Sequence, residues 1–198
     1  MTALFKHKVV LITGGTGSFG HALVRRLLNT DTSEIRILSR DEKKQFDMRG
    51  YFHNPKLKFI IGDVRDKDSI RPAFDNVNYV FHASALKQVP SCEFYPMESV
   101  KTNILGTENA MNCAISASVE KFVLLSTDKA VYPINTMGLS KALAEKIVQA
   151  RARELGSSST ILCCTRYGNV IGSRGSVIPL FWSQIQANKP LTITDPSM

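Results

Sequence analysis

The sequence predicts an α/β fold with a doubly wound parallel sheet. Three observations lead there. Short apolar runs alternate with longer amphipathic stretches, the pattern of a parallel sheet covered by helices. The first apolar run, Val9-Val10-Leu11-Ile12, passes through a glycine-rich turn directly into a stretch with apolar positions at helical spacing. Each polar cluster of interest follows an apolar run. Right-handed crossovers therefore bring those clusters to one edge of the sheet, at the C-terminal ends of the strands.

The elements follow in order. Strands are expected at residues 9–13, 35–39, 57–61, 79–82, 122–126 and 160–166. Helices are expected between them at 19–28, 43–51, 69–74, 97–117 and 138–154. Beyond Arg166 the pattern changes: 167–176 is glycine-rich, 177–188 is a helix candidate and 191–194 a short strand candidate. Asp195-Pro196-Ser197-Met198 reads as a turn signal rather than an ending, so a longer protein is expected. The implied division is one nucleotide-binding domain over residues 1–166 and the incomplete start of a second region over 167–198. In the long 97–117 stretch, Gly106 and Ala110 stand at close-packing spacing. That spacing serves either a subunit interface in a homo-oligomer or ordinary helix–sheet packing.

Composition excludes several classes. At 198 residues, 43% hydrophobic and 21% charged, the chain suits one globular domain with a core, alone or with the start of another. The net charge is +8, but the basic residues form no stripe interleaved with aromatics, so nucleic acid is not the expected partner. A small anionic ligand suits the charge equally well. No apolar run is long enough to span a membrane, and the N-terminus shows no signal-peptide pattern, so a cytoplasmic protein is expected. Cys92, Cys113, Cys163 and Cys164 lack zinc-ligand spacing and are expected as reduced, mostly buried thiols, with no metal site.

The glycine turn, TGGTGSFG, has the layout of a dinucleotide-binding βαβ unit of Rossmann type. Gly14 permits a tight turn, Gly17 lets a pyrophosphate approach the backbone, and Gly20 lets helix and strand lie close. Thr16, Ser18 and Phe19 complete the cofactor-facing segment, and the helix N-terminus favours phosphate. The second strand ends in Ser39-Arg40-Asp41. Arg40 there can fork onto a 2′-phosphate, with Ser39 or Lys43 assisting, which favours NADP. Asp41 would instead serve a free 2′-hydroxyl, as in NAD, if it turned inward. Asp63, followed by Val64, either accepts from an adenine amino group or simply opens a helix. His82 is structural or catalytic, and Ala83, Ser84 and Ala85 are small enough for backbone to pass near a cofactor. Lys87, just beyond, can meet a substrate phosphate or hydroxyl.

The fifth strand ends in Ser126-Thr127-Asp128-Lys129: two hydroxyls, a carboxylate and an ammonium where cofactor and substrate would meet. Further along, Met137 and Lys141 fall on one face of the next helix.

These motifs, with SRDEKKQ, GDVRD, HASALKQVP, STDKAVYP and RYGNVIGSRGSVIP, resemble the extended short-chain dehydrogenase/reductase superfamily. Within it they are similar to the CapD-like polysaccharide-biosynthesis group, which includes the inverting UDP-N-acetylglucosamine 4,6-dehydratases. The resemblance implies NADP, a UDP-sugar substrate and a redox-neutral lyase reaction. It implies catalytic roles for Asp128 as acid, Lys129 as C5 base and Lys141 as the helix lysine orienting the nicotinamide ribose. It places Ser126 near the cofactor, and Lys87, Thr127, Tyr167, Asn169, Arg174, Ser176 and Val177 near the sugar nucleotide. Met137 departs from the superfamily's usual tyrosine and cannot move a proton; a subset of capsular-sugar enzymes shows a similar methionine. For Lys129 to act as a base, the cationic Lys141 nearby would have to favour its neutral form. The alternatives are a sugar-nucleotide 4-epimerase or reductase, and an NADP(H)-binding regulatory module without catalysis.

Overall fold

Six strands form one wholly parallel sheet: β1 (Val9–Thr13), β2 (Glu34–Ser39), β3 (Leu57–Ile61), β4 (Tyr79–His82), β5 (Lys121–Leu125) and β6 (Ile161–Thr165). Their spatial order is β3-β2-β1-β4-β5-β6. The chain therefore winds outward one way from β1 and then the other way from β4, which makes the β1/β4 crevice the switch point of the sheet. The computed structural model describes residues 2–156, 160–173, 175–193 and 195. It divides into a unit of residues 1–167, holding the sheet, and a unit of residues 168–198.

The strands form because both faces of a parallel sheet can be buried. Leu11, Leu38, Val80, Phe122 and Leu124 share one core. Val10, Ile12, Ile35 and Ile37 share the other, so alternate residues of each strand point to opposite layers. The second layer is covered by α1 (Ser18–Leu28) and α2 (Glu42–Phe52), through Val24, Leu27 and Met48. The first is covered by α3 (Lys67–Ile70), a 3-10 turn (Arg71–Phe74), α6 (Gly106–Ser116) and α7 (Thr136–Leu155). Two short helices, α4 (Val89–Phe94) and α5 (Pro96–Ser99), precede a π-helical segment, Val100–Leu105. In the second unit, α8 spans Val177–Gln186.

Several expectations need correction. The 69–74 helix begins earlier, because the Asp66 side chain accepts from the backbone of Asp68 and Ser69. It then tightens into the 3-10 turn at Pro72, which cannot donate within a helix. The single 97–117 helix is three pieces, and the π turn puts the fully buried Asn103 on the inner face. Helix α4, with Pro90 in its first turn, has no counterpart among the expected helices; six residues are too few to show a period. Residues 191–193 form no strand, and Thr194 lies outside the described residues. Gly106 and Ala110 pack inside the unit: a Cβ at Gly106 would lie 2.8 Å from a Val64 methyl, and Ala110 is fully buried. Their spacing serves internal packing and not a subunit interface. Of the four free thiols, Cys92 and Cys113 are buried and Cys164 half-buried, but Cys163 is exposed. The core on its side of the sheet reaches only as far as Phe81.

Helix α1 lies unusually close to the turn that precedes it. A Cβ added at Gly20 would stand 1.8 Å from the Gly15 carbonyl oxygen, whereas one added at Gly50, in exposed helix α2, would meet nothing within 4 Å. Gly20→Ala is expected to lose more than about 3 kcal/mol, because backbone must move. Gly50→Ala is expected to gain about 0.5–1 kcal/mol from the entropy of the unfolded chain. Urea midpoints of the two variants check both signs.

Candidate active site

The glycine turn and the segment after β4 meet at the switch point. Gly14 has φ +64°, and a Cβ there would lie 2.8 Å from the Ser84 nitrogen and 2.9 Å from the Ala83 oxygen. Only a residue without a side chain fits that approach. Gly17 is the N-cap of α1 and supplies no side-chain cap, so the first N–H groups of an 11-residue helix face the turn. Ser18 opens the helix, and Phe19 lies 6.4 Å from the Phe81 ring. Thr16 is buried and its hydroxyl bonds Ser39 Oγ at 3.0 Å, joining the ends of β1 and β2.

At the end of β2, Arg40 is half-exposed, with Nη1 3.5 Å from Asp63. Asp41 does not turn inward: it caps α2, accepting from the Lys44 backbone at 2.9 Å. Lys43 is turned along α2 to Asp47, away from Ser39. Asp63 accepts from the Arg65 guanidinium at 2.6 and 2.9 Å. Burial pushes its carboxyl up, and Arg65 outweighs this and holds it below the usual range. Val64 has its side chain in the core, so it offers a neighbour only its backbone. His82 is wholly buried, bonded through Nδ1 to Thr13 and stacked on Phe122. Burial, then the charge of Lys141, brings its pKa to about 3, so it is a neutral core residue. Ala83, Ser84 and Ala85 are half-buried beside the turn, and Lys87 is exposed. Asn103 fixes this loop, bonding the Leu86 N–H and C=O at 2.8 and 3.0 Å and Ser140 at 2.9 Å.

Beyond β5, Ser126 is 2% exposed and keeps its hydroxyl inside. Thr127 is half-buried and donates to Asp128 at 2.8 Å. Asp128 is exposed, and the Lys129 ammonium pairs with it at 3.4 Å. The Thr127 hydroxyl bond, opposed by slight burial and aided by Lys129, holds the Asp128 carboxyl below its ordinary value. Asp128 is thus a carboxylate at neutral pH and must gain a proton before it can act as an acid. The group paired with Lys129 is that anion, whereas Lys141 points inward, donating to the Leu125 carbonyl at 2.5 Å. Asn135 caps α7 by accepting from the Gly138 backbone, and the Glu93 side chain accepts from Thr136. Met137 and Lys141 share the buried face of α7. Burial brings Lys141 down to about 8.

Tyr167 closes the first unit: its carbonyl accepts from the Asp128 backbone at 3.1 Å, and burial pushes its phenol up. In the second unit Asn169 and Val177 are exposed, and Ser176 stands at the N-cap position of α8 without a side-chain cap bond, its hydroxyl donating back to the Ser173 carbonyl. Arg174 lies outside the described residues. Sequence reading passed over Asn103, Glu93, Glu145 and Arg166. Only Glu145, four residues after Lys141 on the same face, left a readable signal.

Fold and site define a Rossmann-type α/β protein with its polar clusters at the C-terminal edge of the sheet. The chain belongs to the polysaccharide biosynthesis protein family, whose profile matches residues 10–198. It is 63% identical to a "UDP-glucose 4-epimerase" of Rickettsia rickettsii and 62% identical to that of Rickettsia felis. Each match covers 98% of this chain but 58% of the relative, so the chain spans little more than half the length of these curated relatives. Among solved structures, Pen from Bacillus thuringiensis aligns with TM-score 0.95 at 43% identity, over 98% of this chain and 60% of that one. DesIV of Streptomyces venezuelae, a dTDP-glucose 4,6-dehydratase with NAD and TYD bound, aligns with TM-score 0.81 at 24% identity, over 92% and 63%. That likeness shows the shared fold. Among the described residues no helix is long and apolar enough to cross a membrane, and no group of His, Cys, Asp and Glu could hold a metal ion.

The buried Lys141 has a thermodynamic signature. Below pH 8 it is charged in both folded and unfolded chain, and folding bears its desolvation. Between about 8 and 10.5 the unfolded chain keeps the proton and the folded chain has lost it, so stability rises with pH. Across that window the parent is expected to gain roughly 3 kcal/mol relative to Lys141→Met. Urea unfolding of both at several pH values checks the difference; parallel curves would refute it.

Proposed function

We propose that the chain forms the catalytic end of an NADP-dependent sugar-nucleotide 4,6-dehydratase of the extended short-chain dehydrogenase/reductase type. The substrate is UDP-N-acetylglucosamine, a precursor for surface polysaccharide, with C5 inverted. One observation carries this reading. A carboxylate and an ammonium are ion-paired at the end of β5, while Met137, at the position of the superfamily's usual acid/base tyrosine, cannot move a proton. Dehydration needs an acid at the C6 hydroxyl and a base at C5, and the Asp128–Lys129 pair provides both from one shared proton. Shifting that proton from Lys129 to Asp128 gives a neutral amine and a carboxylic acid. The amine takes the C5 proton, Asp128 gives its proton to the departing C6 hydroxyl, and water leaves. The pair is thereby returned to its resting charges; C5 is then reprotonated from the opposite face of the sugar, and the proton lost from the C4 hydroxyl on its oxidation balances that addition.

A nicotinamide cofactor, when bound, supplies the redox chemistry at C4 and C6. The residues fit it: the Gly14 approach leaves a cradle that a Cβ would fill, and Gly17 leaves the α1 N-terminus facing the turn. Thr16, Ser18, Phe19 and Gly20 would border the pyrophosphate, and Ala83, Ser84, Ala85 and Ser126 the nicotinamide half, with Lys141 at its ribose. Asp41 is committed to its helix cap, which leaves Arg40 and Ser39 to meet the adenosine ribose and favours a 2′-phosphate. Asp63 and Val64 would lie near the adenine, and Lys87, Thr127 and Tyr167 near the UDP-sugar. NAD remains the competing cofactor, since DesIV is described with NAD bound.

The names of the Rickettsia relatives favour a second reading, a UDP-glucose 4-epimerase. Mass spectrometry separates the two. Full-length protein incubated with UDP-N-acetylglucosamine is expected to give a product lighter by one water; an isomer of unchanged mass would establish the epimerase. Lys129→Met, run in heavy water, is expected to abolish deuterium entry at C5 together with product. Incorporation at the parent rate would remove Lys129 from the mechanism. Asp128→Asn is expected to slow turnover about 10²–10⁴-fold. By calorimetry NADP is expected to bind more tightly than NAD, and Arg40→Ala to narrow the gap by about 1.5–3 kcal/mol. Equal affinities in the parent would refute the preference.

A further inference from the structure

Helix α7 turns two charged side chains inward, Lys141 and Glu145, at 5% and 3% exposure. Four residues apart, they are neighbours on one face, with Cβ atoms about 5–6 Å apart. The Lys141 ammonium has three protons to place, and a single neutral carbonyl, that of Leu125, does not offset its burial. Three titratable groups face it from the elements packed around it: His82 on β4, Cys164 on β6 and Glu145 on its own helix. His82 is neutral, and burial, reinforced by Glu145, pushes the Cys164 thiol up to about 11. Among these, Glu145 alone is ionised at neutral pH. Burial by itself would protonate it, but Arg166 grips both oxygens: Nε at 3.0 Å from Oε1 and Nη2 at 2.6 Å from Oε2. The Arg166 side chain is 48% exposed, so it keeps much of its hydration while fixing the carboxylate from the end of β6.

We propose that Glu145, held by Arg166, is a positioning residue: the buried counter-ion that keeps the Lys141 ammonium charged and docked on the last carbonyl of β5. The role of Lys141 at a nicotinamide rests on the function proposed above; its electrostatic coupling to Glu145 does not. The test is therefore a direct titration of Lys141 in full-length protein without ligand, followed by NMR of ε-carbon-labelled lysine, with the signal identified by its loss in Lys141→Met. The parent midpoint is expected near 8. In Glu145→Gln the proton affinity of Lys141 is expected to fall at least about tenfold, one pH unit, and Glu145→Asp should recover most of it. Where the glutamine variant fails to fold, Glu145→Met serves: it leaves no buried carboxamide, and Arg166 can turn to water. A midpoint that moves less than about twofold in proton affinity in the folded variant overturns the proposal. Calorimetry with NADP and with NAD is the second arm. In the parent, affinity is expected to fall as pH rises through 8, and in Glu145→Gln the fall should begin about one unit lower. If the parent binds neither dinucleotide, the functional reading fails while the titration still decides the counter-ion.

Discussion

The approach of two backbones at the switch point is the constraint on which the rest of the molecule depends. The turn after β1 can touch the segment after β4 only because Gly14 has no side chain and tolerates a positive φ. That contact fixes where α1 begins, hence where its N-terminal N–H groups point. It also leaves the residues after β4 facing the turn rather than solvent. The sheet order places the ends of β2 and β5 on either side of this crevice. Side chains separated by a hundred residues in sequence are thereby held along one edge.

The second organising feature is a buried charge. Lys141 lowers the stability of the fold at neutral pH, and a hydrophobic residue would pack in its place at less cost. Its retention at the end of β5 follows the pattern by which functional sites keep groups that stability alone would remove. The arrangement beneath it is layered: Glu145 faces Lys141, Arg166 holds Glu145, and Asn103 with Ser140 ties the post-β4 loop to the same helix. A change in any one of these would be felt at the edge of the sheet without touching a ligand.

Met137 gives the site its chemical character. A thioether accepts no proton, so the proposed mechanism assigns proton transfer to the Asp128–Lys129 turn. There a bonded threonine hydroxyl and an ion pair set the resting charges. Such a pair suits an elimination, which needs an acid and a base at the same moment. Relatives about 62–63% identical to this chain are named as epimerases, while DesIV, sharing the fold at 24% identity, is a dehydratase. The scaffold is common to proteins named for both chemistries, so the fold alone does not decide between them.

Much of this was legible in the sequence. The alternation of apolar runs and helical stretches determined the parallel sheet, because burial on both faces admits little else, and strand bounds fell within a residue or so. The glycine turn was readable for the same reason: few residues satisfy its backbone. The π turn at Val100–Leu105 and the 3-10 turn at Arg71–Phe74 were not, since each depends on what the segment packs against. Side-chain direction was the other blind spot. Sequence left Asp41 free to turn inward and put Lys141 beside Lys129. The folded chain commits Asp41 to a helix cap and Lys141 to a carbonyl in the interior. Local pattern determined which residues gather at the edge of the sheet. Tertiary structure decided their charge and their partners, because burial and hydrogen bonding are properties of the packed molecule and not of any stretch within it.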